Sequence, residues 1–458
     1  FMNRMNFLGK GADNGETDTF KISQRMRTKF QFVANENLKG VLETQIGTNS
    51  WGNGLYQIGA GRSAGTSAAS GANTAGNGNI MLRQGYLDFK WPGTQVNFLV
   101  GYQSLSLPAA FGGGSAMFDD FVGAAAAVVP VTENISLVGG YARAVDLNGA
   151  GATQSGALSG TGSAGNYDVT FLTAPMSFMN KGLSLNPFVA YATIGSQTGS
   201  TAIGTLTGLM GPNSTSTNEG ARVYAGGIAA TVKLFDPFVV MADFNYAKAT
   251  YNNAGNRNAA SGGRSGFLFD VAVDYTGLSM MTPELFFAYS SGEKGNSTQE
   301  NKSNRMPVIG NPQNWALGSF WLQGSNSLIA DSVGDTTRSN LGFWALGLSL
   351  KDIKLVDKLS HTFNLIYFKG TNDVDYLKET SGTVRSASYG SFLTTKDSLW
   401  EVDLNTKYQI YDELALHLEL GYLNPSFDKD TWKAIDADYD TYGNKSAYKG
   451  SLILKYTF

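Results

Sequence analysis

The most evident absences in the sequence are cysteine, histidine and proline: it has no cysteine, 2 histidines and 11 prolines in 458 residues. A chain of this length without cysteine needs no disulfide, which fits an exported bacterial protein. The formal net charge is −3, with lysine and arginine spread along the chain, so no basic patch for a nucleic acid is evident. No apolar run reaches the roughly 18–20 residues of a membrane helix. The longest candidate, Ala124–Val131, is about half that length and contains Pro130.

What the sequence does contain is a repeated alternation of polar and apolar residues with a period of two, which indicates β-strands. In the last segment, 447–458, Leu452 and Leu454 lie on one face and Lys449 and Lys455 on the other. Two further segments near the C-terminus alternate in the same way, 401–411 and 414–422. Because only alternate residues of such strands would face lipid, the mean hydropathy of −0.15 is compatible with a membrane barrel.

The length of the segments and the connections between them distinguish a membrane barrel from a soluble sandwich. The segments run for about 10–13 residues, roughly twice a usual globular strand, which matches a tilted membrane crossing. Short turns and long polar connections alternate along the chain, as in outer-membrane barrels with short periplasmic turns and long extracellular loops. We therefore predict an all-β fold, a transmembrane antiparallel β-barrel that occupies residues 1–458 as a single domain.

The number of strands follows from counting these segments. Seventeen segments alternate, and the apolar opening Phe1–Leu8 supplies an eighteenth, which gives the even number expected of a bacterial barrel. The segments 121–130 and 166–177 are the weakest, so sixteen strands are the alternative. Long extracellular loops are predicted at 49–79 and 292–339.

These two long loops differ in composition. The centre of the first is almost purely glycine, alanine, serine and asparagine, which is typical either of a flexible solvated loop or of a latch over a neighbouring barrel. The second carries Trp315, Phe320 and Trp321, so it is not a plain solvated loop. We expect it to fold over the barrel mouth or to pack against a neighbouring subunit.

The C-terminal sequence Leu452-x-Leu454-x-Tyr456-x-Phe458 resembles the terminal signature of outer-membrane barrels. In that family the final phenylalanine and the alternating apolar residues are read by the barrel-assembly machinery. The resemblance therefore implies that Tyr456 and Phe458 form an assembly signal and that the assembly machinery is a partner.

A second motif, Leu107–Gly113, resembles the Pro-Glu-Phe-Gly-Gly stretch in the constriction loop of trimeric general porins, with Ala109 in place of the glutamate. In overall layout the chain also resembles the major porins of sulfate-reducing bacteria. The resemblance implies a homotrimer and a third long loop, 106–121, that folds into the lumen as the constriction. It further implies that Phe111, Asp119 and Asp120 lie at that constriction, with the two carboxylates facing a basic wall.

The basic wall is predicted from strand 22–34. Arg25, Arg27 and Lys29 share one face of this strand, and the opposite face is largely apolar. Because cations are costly on a lipid face, we expect these three side chains to line the pore, although a structural face neutralised by carboxylates is the alternative. Arg83 is the next basic candidate.

Selectivity in a diffusion channel comes from pore radius and lining charge, and no catalytic constellation is required. The leading prediction is a water-filled porin in the outer membrane of a Gram-negative bacterium, for passive diffusion of ions and small hydrophilic solutes. The alternative is a substrate-specific eighteen-stranded channel. An enzyme on a barrel is disfavoured, because His361 and His417 have no evident serine partner. No cofactor is predicted, and membrane lipid and lipopolysaccharide are the expected surroundings.

An acidic cluster near the C-terminus raises the question of a metal site. Its members are Asp428, Asp430, Asp436, Asp438 and Asp440. Their spacing does not match an EF-hand loop, so we predict a solvated rim that binds divalent cations loosely and no dedicated metal site.

Overall fold

The computed structural model describes residues 2–8, 19–51, 80–146, 166–195, 220–251, 263–295, 303–310, 314–321, 341–379, 393–433 and 444–458. Within these ranges the chain forms nineteen strand segments in one sheet and two short helices. Among the described residues, no helix has the length and apolar character needed to cross a membrane.

The strands alternate with short turns on one side and long connections on the other. In chain order they are β1 (Met2–Leu8), β2 (Thr19–Asn35), β3 (Leu38–Ser50), β4 (Met81–Lys90), β5 (Asn97–Ser106), β6 (Asp119–Thr132), β7 (Ile135–Asp146), β8 (Asn166–Thr173), β9 (Met176–Phe178), β10 (Leu183–Ile194), β11 (Ala221–Phe235), β12 (Phe238–Tyr251), β13 (Arg264–Tyr275), β14 (Thr282–Ser290), β15 (Phe343–Val356), β16 (Leu359–Gly370), β17 (Ser398–Tyr411), β18 (Leu414–Ser426) and β19 (Ala447–Tyr456). The helices α1 (Val374–Glu379) and α2 (Lys429–Lys433) lie in long connections.

Every neighbouring pair of strands is antiparallel, and β1 closes the ring. Met2 of β1 lies opposite Arg25 of β2 and also opposite Lys455 of β19. β8 and β9 both pair with β7 and β10 and are separated only by Ala174 and Pro175, a point at which proline supplies no N–H for the ladder. These two segments therefore form one crossing, and nineteen segments make eighteen crossings. The prediction of an eighteen-stranded antiparallel barrel is confirmed.

The outer face of the barrel is apolar and carries exposed aromatic rings near both strand ends. Near the short turns these rings include Phe32, Trp91, Phe235, Tyr411 and Phe458. Near the long connections they include Tyr224, Tyr246, Trp400, Tyr422 and Tyr448. Aromatic girdles of this kind place amphipathic rings at the two interfaces of a membrane.

The buried core lies inside the barrel and not between sheets. Across β6 to β15 the inward positions near the long-loop ends are mostly small, and the chain segments inside the lumen pack against them. Buried alanines on the inward faces of these strands include Ala124, Ala126, Ala142, Ala190, Ala192, Ala221, Ala225, Ala247, Ala249, Ala272, Ala288 and Ala345. Small side chains on the wall leave the space that the inserted segments occupy.

Candidate functional site

The connection between β5 and β6, residues 107–118, runs into the lumen and is called the inner loop below. The backbone N–H groups of Ala110 and Phe111 donate to the carboxylate of Asp243 on β12, at 2.8–3.0 Å. The ring of Phe111 packs against Phe286 on β14, with a centroid distance of 5.3 Å. The loop thus reaches from β5 to strands well along the ring, and the prediction that the third loop folds into the lumen is confirmed.

A second stretch of chain also lies inside the barrel. Residues 303–310 and 314–321, called the crossing segment below, begin beside β13, where the N–H of Ser265 donates to Ser303 O at 3.0 Å. The N–H of Ile309 donates to Met117 O in the inner loop at 3.0 Å, and the hydroxyl of Tyr167 on β8 donates to Ile309 O. The first half of the crossing segment therefore packs between the inner loop and the wall.

The middle of the crossing segment contacts the inner loop and β13 together. Trp315 donates its indole N–H to Asp270 Oδ2 at 3.1 Å, and Ala316 donates its backbone N–H to Gly112 O at 2.9 Å. Gly112 has φ of +76°, and a Cβ at this position would lie 2.6 Å from Trp315 Cδ1. Only glycine fits here, because both the backbone conformation and the space exclude a side chain.

The end of the crossing segment is bound by two carboxylates of β17. Ser319 N–H donates to Asp403 Oδ2 at 2.8 Å, and the N–H groups of Phe320 and Trp321 each donate to Glu401 at 2.9 Å. Both carboxyl groups are fully buried, so these bonds satisfy acceptor oxygens that would otherwise be costly to remove from water. The described part of 292–339 thus spans the lumen from β8 to β17, and most of its contacts lie toward the long-connection ends of these strands.

The remaining lumen lies along β2–β4 and β17–β19. Lys449 Nζ lies 4.7 Å from the centroid of the Phe320 ring, which identifies the inward face of β19. Lys455 lies an even number of residues further along β19 and therefore shares the inward face. In the ladder, Lys455 lies opposite Met2 of β1, and Met2 in turn lies opposite Arg25 of β2. Residues directly opposite in a ladder share a face, so Arg25 points into the lumen, and Arg27 and Lys29 follow by alternation. The structure therefore places the predicted basic strand on the lumen face.

Polar partners on β3 and β4 contact this basic strand. Arg27 donates from Nε to Gln45 Oε1 at 2.7 Å. Arg83 forms an ion pair with Glu43 at 2.8 Å, bonds Gln45 at 3.1 Å and stacks over Phe121 with a centroid distance of 4.3 Å. Arg83 and Arg27 therefore belong to one cluster around Gln45, and the carboxylate of Glu43 partly neutralises the charge of Arg83.

Asp119 and Asp120 lie outside the inner loop, because they pair with Ser106 and Leu105 as the first residues of β6. The inner loop is accordingly 107–118 and not 106–121. Asp119 is buried and accepts a hydrogen bond from Asn314 Nδ2 at 2.7 Å, while Asp120 accepts from Phe121 N–H at 2.7 Å. Both residues belong to β6, which is separated from β4 only by β5. Their part in a constriction stays a prediction.

Several lumen residues were missed from the sequence. They are the inward cations on the last three strands, Lys407, Lys449 and Lys455. The sequence contained the signal, because these lysines alternate with apolar residues along their strands. The wall carboxylates that bind the inserted segments, Asp243, Asp270, Glu401 and Asp403, were missed because nothing in a strand pattern shows which backbone will approach it.

The C-terminal pair lies at the short-turn end. The rings of Tyr456 and Phe458 are exposed on the outer face and stack with a centroid distance of 5.5 Å. Their reading by the assembly machinery stays a prediction.

The acidic cluster is only partly described. Asp428 accepts hydrogen bonds from the Thr431 N–H and hydroxyl, which caps α2, and these bonds lower its pKa. Asp436, Asp438 and Asp440 lie outside the described residues. Among the described residues, no group of three acidic or histidine side chains is placed to hold a metal ion.

No family model and no curated protein matches this sequence. Solved structures match it over nearly its whole length. The outer membrane protein OprD from Pseudomonas aeruginosa is 13% identical, with a TM-score of 0.51, and the match covers 99% of this chain and 91% of that chain. OccK11 (OpdR) from Pseudomonas aeruginosa is 11% identical, with a TM-score of 0.51, covering 99% and 94%.

A BenF-like porin from Pseudomonas fluorescens Pf-5 is 10% identical, with a TM-score of 0.51, covering 99% of this chain and 96% of that chain. At such identities the likeness shows the fold alone, and it is the fold of Gram-negative outer-membrane channels. The predicted outer-membrane barrel is therefore confirmed at the level of the fold. The likeness to porins of sulfate-reducing bacteria finds no support in these comparisons.

Proposed function

We propose that this chain is a substrate-specific outer-membrane channel for small anionic hydrophilic solutes. One observation carries the proposal: two chain segments cross the interior, and the lumen that remains is bordered by basic side chains. Substrate-specific transport is the alternative that the sequence left open, and the doubly filled lumen favours it over the general porin that led there.

The narrowing of the lumen supports specificity. A general porin narrows its lumen with one inserted loop, according to the resemblance on which that prediction rested. Here the inner loop and the crossing segment are both inside, and hydrogen bonds join them at Gly112 and Met117. A doubly filled lumen admits fewer solutes and places more groups within reach of each one. The fold of OprD and of the BenF-like porin also supports a channel over an enzyme.

The placement of charge supports an anionic solute. Arg25, Arg27 and Lys29 face the lumen on β2, and Lys407 and Lys455 face it on β17 and β19. The carboxylates of Glu401 and Asp403 are buried by the crossing segment, so their charge is withdrawn from the water path. A lumen lined mainly by one sign of charge concentrates the opposite sign.

Passive diffusion, a homotrimer, recognition of the C-terminus by the assembly machinery, and contact with membrane lipid and lipopolysaccharide all fit an outer-membrane channel. None of them is needed for the selectivity proposed here.

The experiment is single-channel recording of the purified protein in a planar bilayer under a KCl gradient. We expect small ohmic openings, a reversal potential that indicates anion preference, and a current reduced by added mono- and dicarboxylates or phosphate esters. Uncharged sugars of the same size serve as the matched control and should reduce the current less. Large openings without ion preference, blocked by neither class of solute, would identify a general porin and overturn the proposal.

A further inference from the structure

Two cations occupy an unusual position on the outer surface of the barrel. Arg222 on β11 lies between the buried inward residues Ala221 and Val223, and Lys248 on β12 lies between the buried Ala247 and Ala249. Strand alternation therefore directs both charged side chains outward, toward the surface that the membrane covers. Both are exposed.

The two side chains are neighbours. Arg222 lies opposite Thr250, and Lys248 lies opposite Tyr224, so the cations occupy a diagonal pair across β11 and β12. Long side chains at such diagonal positions lie within reach of one ligand. In the part of the chain that the structure describes, neither cation forms an ion pair.

A third outward cation at the same rim shows the contrast. Arg143 on β7 forms ion pairs with Asp168 at 2.8 Å and with Asp146 at 3.0 Å. Its charge is thus satisfied within the protein. The pair on β11 and β12 has no such carboxylate among the described residues.

The surface next to this pair changes from polar to apolar along the strands. The rings of Tyr191 and Tyr224 are in contact, with a centroid distance of 5.1 Å, and lie next to the cations. Further toward the short turns the outer face carries Val189, Ile228 and Phe244, which are all exposed. The order of cations, tyrosines and apolar side chains along the strands matches the order of phosphate, sugar and acyl chains in an anionic glycolipid.

The depth of the pair in the membrane follows from electrostatics. Arginine and lysine on the lipid face of a barrel are tolerated near the interfaces and not at the midplane. Both residues lie at the long-connection ends of their strands, which face outward in outer-membrane barrels. The lipid on that side of a Gram-negative outer membrane is a glycolipid that carries phosphate groups.

We infer that Arg222 and Lys248 form a binding site for a phosphate of this glycolipid, lipid A, with Tyr191 and Tyr224 packing against its sugar and upper acyl chains. The site lies on the outside of the barrel and is independent of the solute that the channel passes.

The test compares the detergent-solubilised wild-type protein with Arg222→Gln/Lys248→Gln by native mass spectrometry with added lipid A. Because both positive charges that face the phosphate are lost, we expect the double variant to bind lipid A about thirtyfold more weakly. Arg143→Gln, the matched rim control, should bind like the wild type. Arg222→Lys/Lys248→Arg should retain binding, which separates loss of charge from loss of fold.

Two further arms test the role of the phosphates and the oligomeric state. Lipid A without phosphates should bind the wild type as weakly as intact lipid A binds the double variant. Equal binding of the two lipids, or equal affinity of wild type and double variant, would overturn the inference. A change in oligomeric state of the lipid-free double variant would assign the pair to contact with a second copy of the chain, which would also overturn it.

Discussion

The two sides of the barrel interior are built on opposite plans. From β6 to β16 the inward face carries small residues and buried carboxylates, and the inner loop and the crossing segment pack against it. From β18 round to β4 it carries cations that, apart from the buried Lys449, remain partly exposed. β17 takes part in both, because Glu401 and Asp403 bind the crossing segment and Lys407 faces the open lumen. We refer to these as the packed side and the open side.

The difference shows how one wall motif, an inward charge in an alternating strand, serves two purposes. On the packed side, inward carboxylates accept hydrogen bonds from backbone N–H groups of an inserted segment, as at Asp243 and Glu401. On the open side most inward charges are positive and face water or a side-chain partner, as at Lys29 and Arg83. Carboxylates therefore bind most of the inserted backbone on the packed side, where Arg264 also donates to Arg305 O, and cations predominate on the side that meets solute.

The largest expected effect comes from Glu401→Ala/Asp403→Ala, which removes the acceptors for three backbone N–H groups. Each such bond to a charged group is worth about 1.5–3 kcal/mol. We expect the end of the crossing segment to leave the wall and single-channel conductance to rise severalfold. Asp88→Ala also removes an inward carboxylate, but one that pairs with Lys39, and it should leave conductance nearly unchanged. Equal conductance in wild type and double variant would mean that the segment does not limit the pore.

The next effect concerns the open side. Arg25→Gln/Arg27→Gln/Lys29→Gln should move the reversal potential under a KCl gradient toward cation preference, because three positive charges leave the lumen face. Lys351→Gln is the matched control: this lysine belongs to the packed side, where it pairs with Asp274 and Glu284. A shift from the control as large as that from the triple variant would contradict the division into two sides.

A smaller effect is expected at the junction of the two inserted segments. Gly112→Ala imposes a left-handed backbone on an L-residue, at about 1–2 kcal/mol, and also pushes against Trp315. Gly113→Ala imposes similar backbone strain at φ of +81°, but its nearest atom would be 3.4 Å away. We expect more current noise and lower thermal stability in the first variant than in the second. Equal behaviour would show that the Trp315 contact is unimportant.

The smallest effect is pH dependence near the long-connection end of the packed side. Burial raises the pKa of Glu293, but Arg305, Arg264, Ser303 and the Asn304 N–H outweigh it, so the pKa lies below its ordinary value. The ionised Glu293 thus stabilises the folded protein fully above the ordinary glutamate pKa of about 4.3. This stabilisation is lost as the pH falls through the lower pKa that Glu293 has in the folded protein.

Recording at stepwise lower pH checks this. The wild-type channel should keep its open-state noise from neutral pH to about pH 4 and become noisier below it. Glu293→Gln should be noisier at neutral pH and should lack the acid onset. An acid onset at the same pH in both proteins would assign the effect to another group.

Much of the fold could be predicted from the sequence, because strand alternation and turn spacing are local. The weak segments 121–130 and 166–177 both fall on strands, and the break in the second coincides with Pro175. The insertion of the third loop could be predicted from the motif at Leu107–Gly113. The basic face of β2 could be predicted from the alternation of residues alone.

The crossing segment could not be predicted in the same way. Trp315, Phe320 and Trp321 mark the segment as one that packs, but its place depends on which wall offers small residues and unsatisfied carboxylates. That wall is formed by strands far apart in the chain. The described part packs inside the barrel toward the long-connection ends of its strands, and its expected cover of the mouth or contact with a neighbouring subunit stays a prediction.

The most direct test of the two-sided interior uses the absence of cysteine. Single cysteines are introduced at Lys29 and Lys407 on the open side and at Ala272 and Ala345 on the packed side, and a charged methanethiosulfonate reagent is applied during bilayer recording. We predict rapid modification with a stepwise change in current at the two open positions, and little or no reaction at the two buried ones. Rapid reaction at Ala272 or Ala345, or none at Lys29 and Lys407, would place the water path on the other side and contradict the two-sided interior.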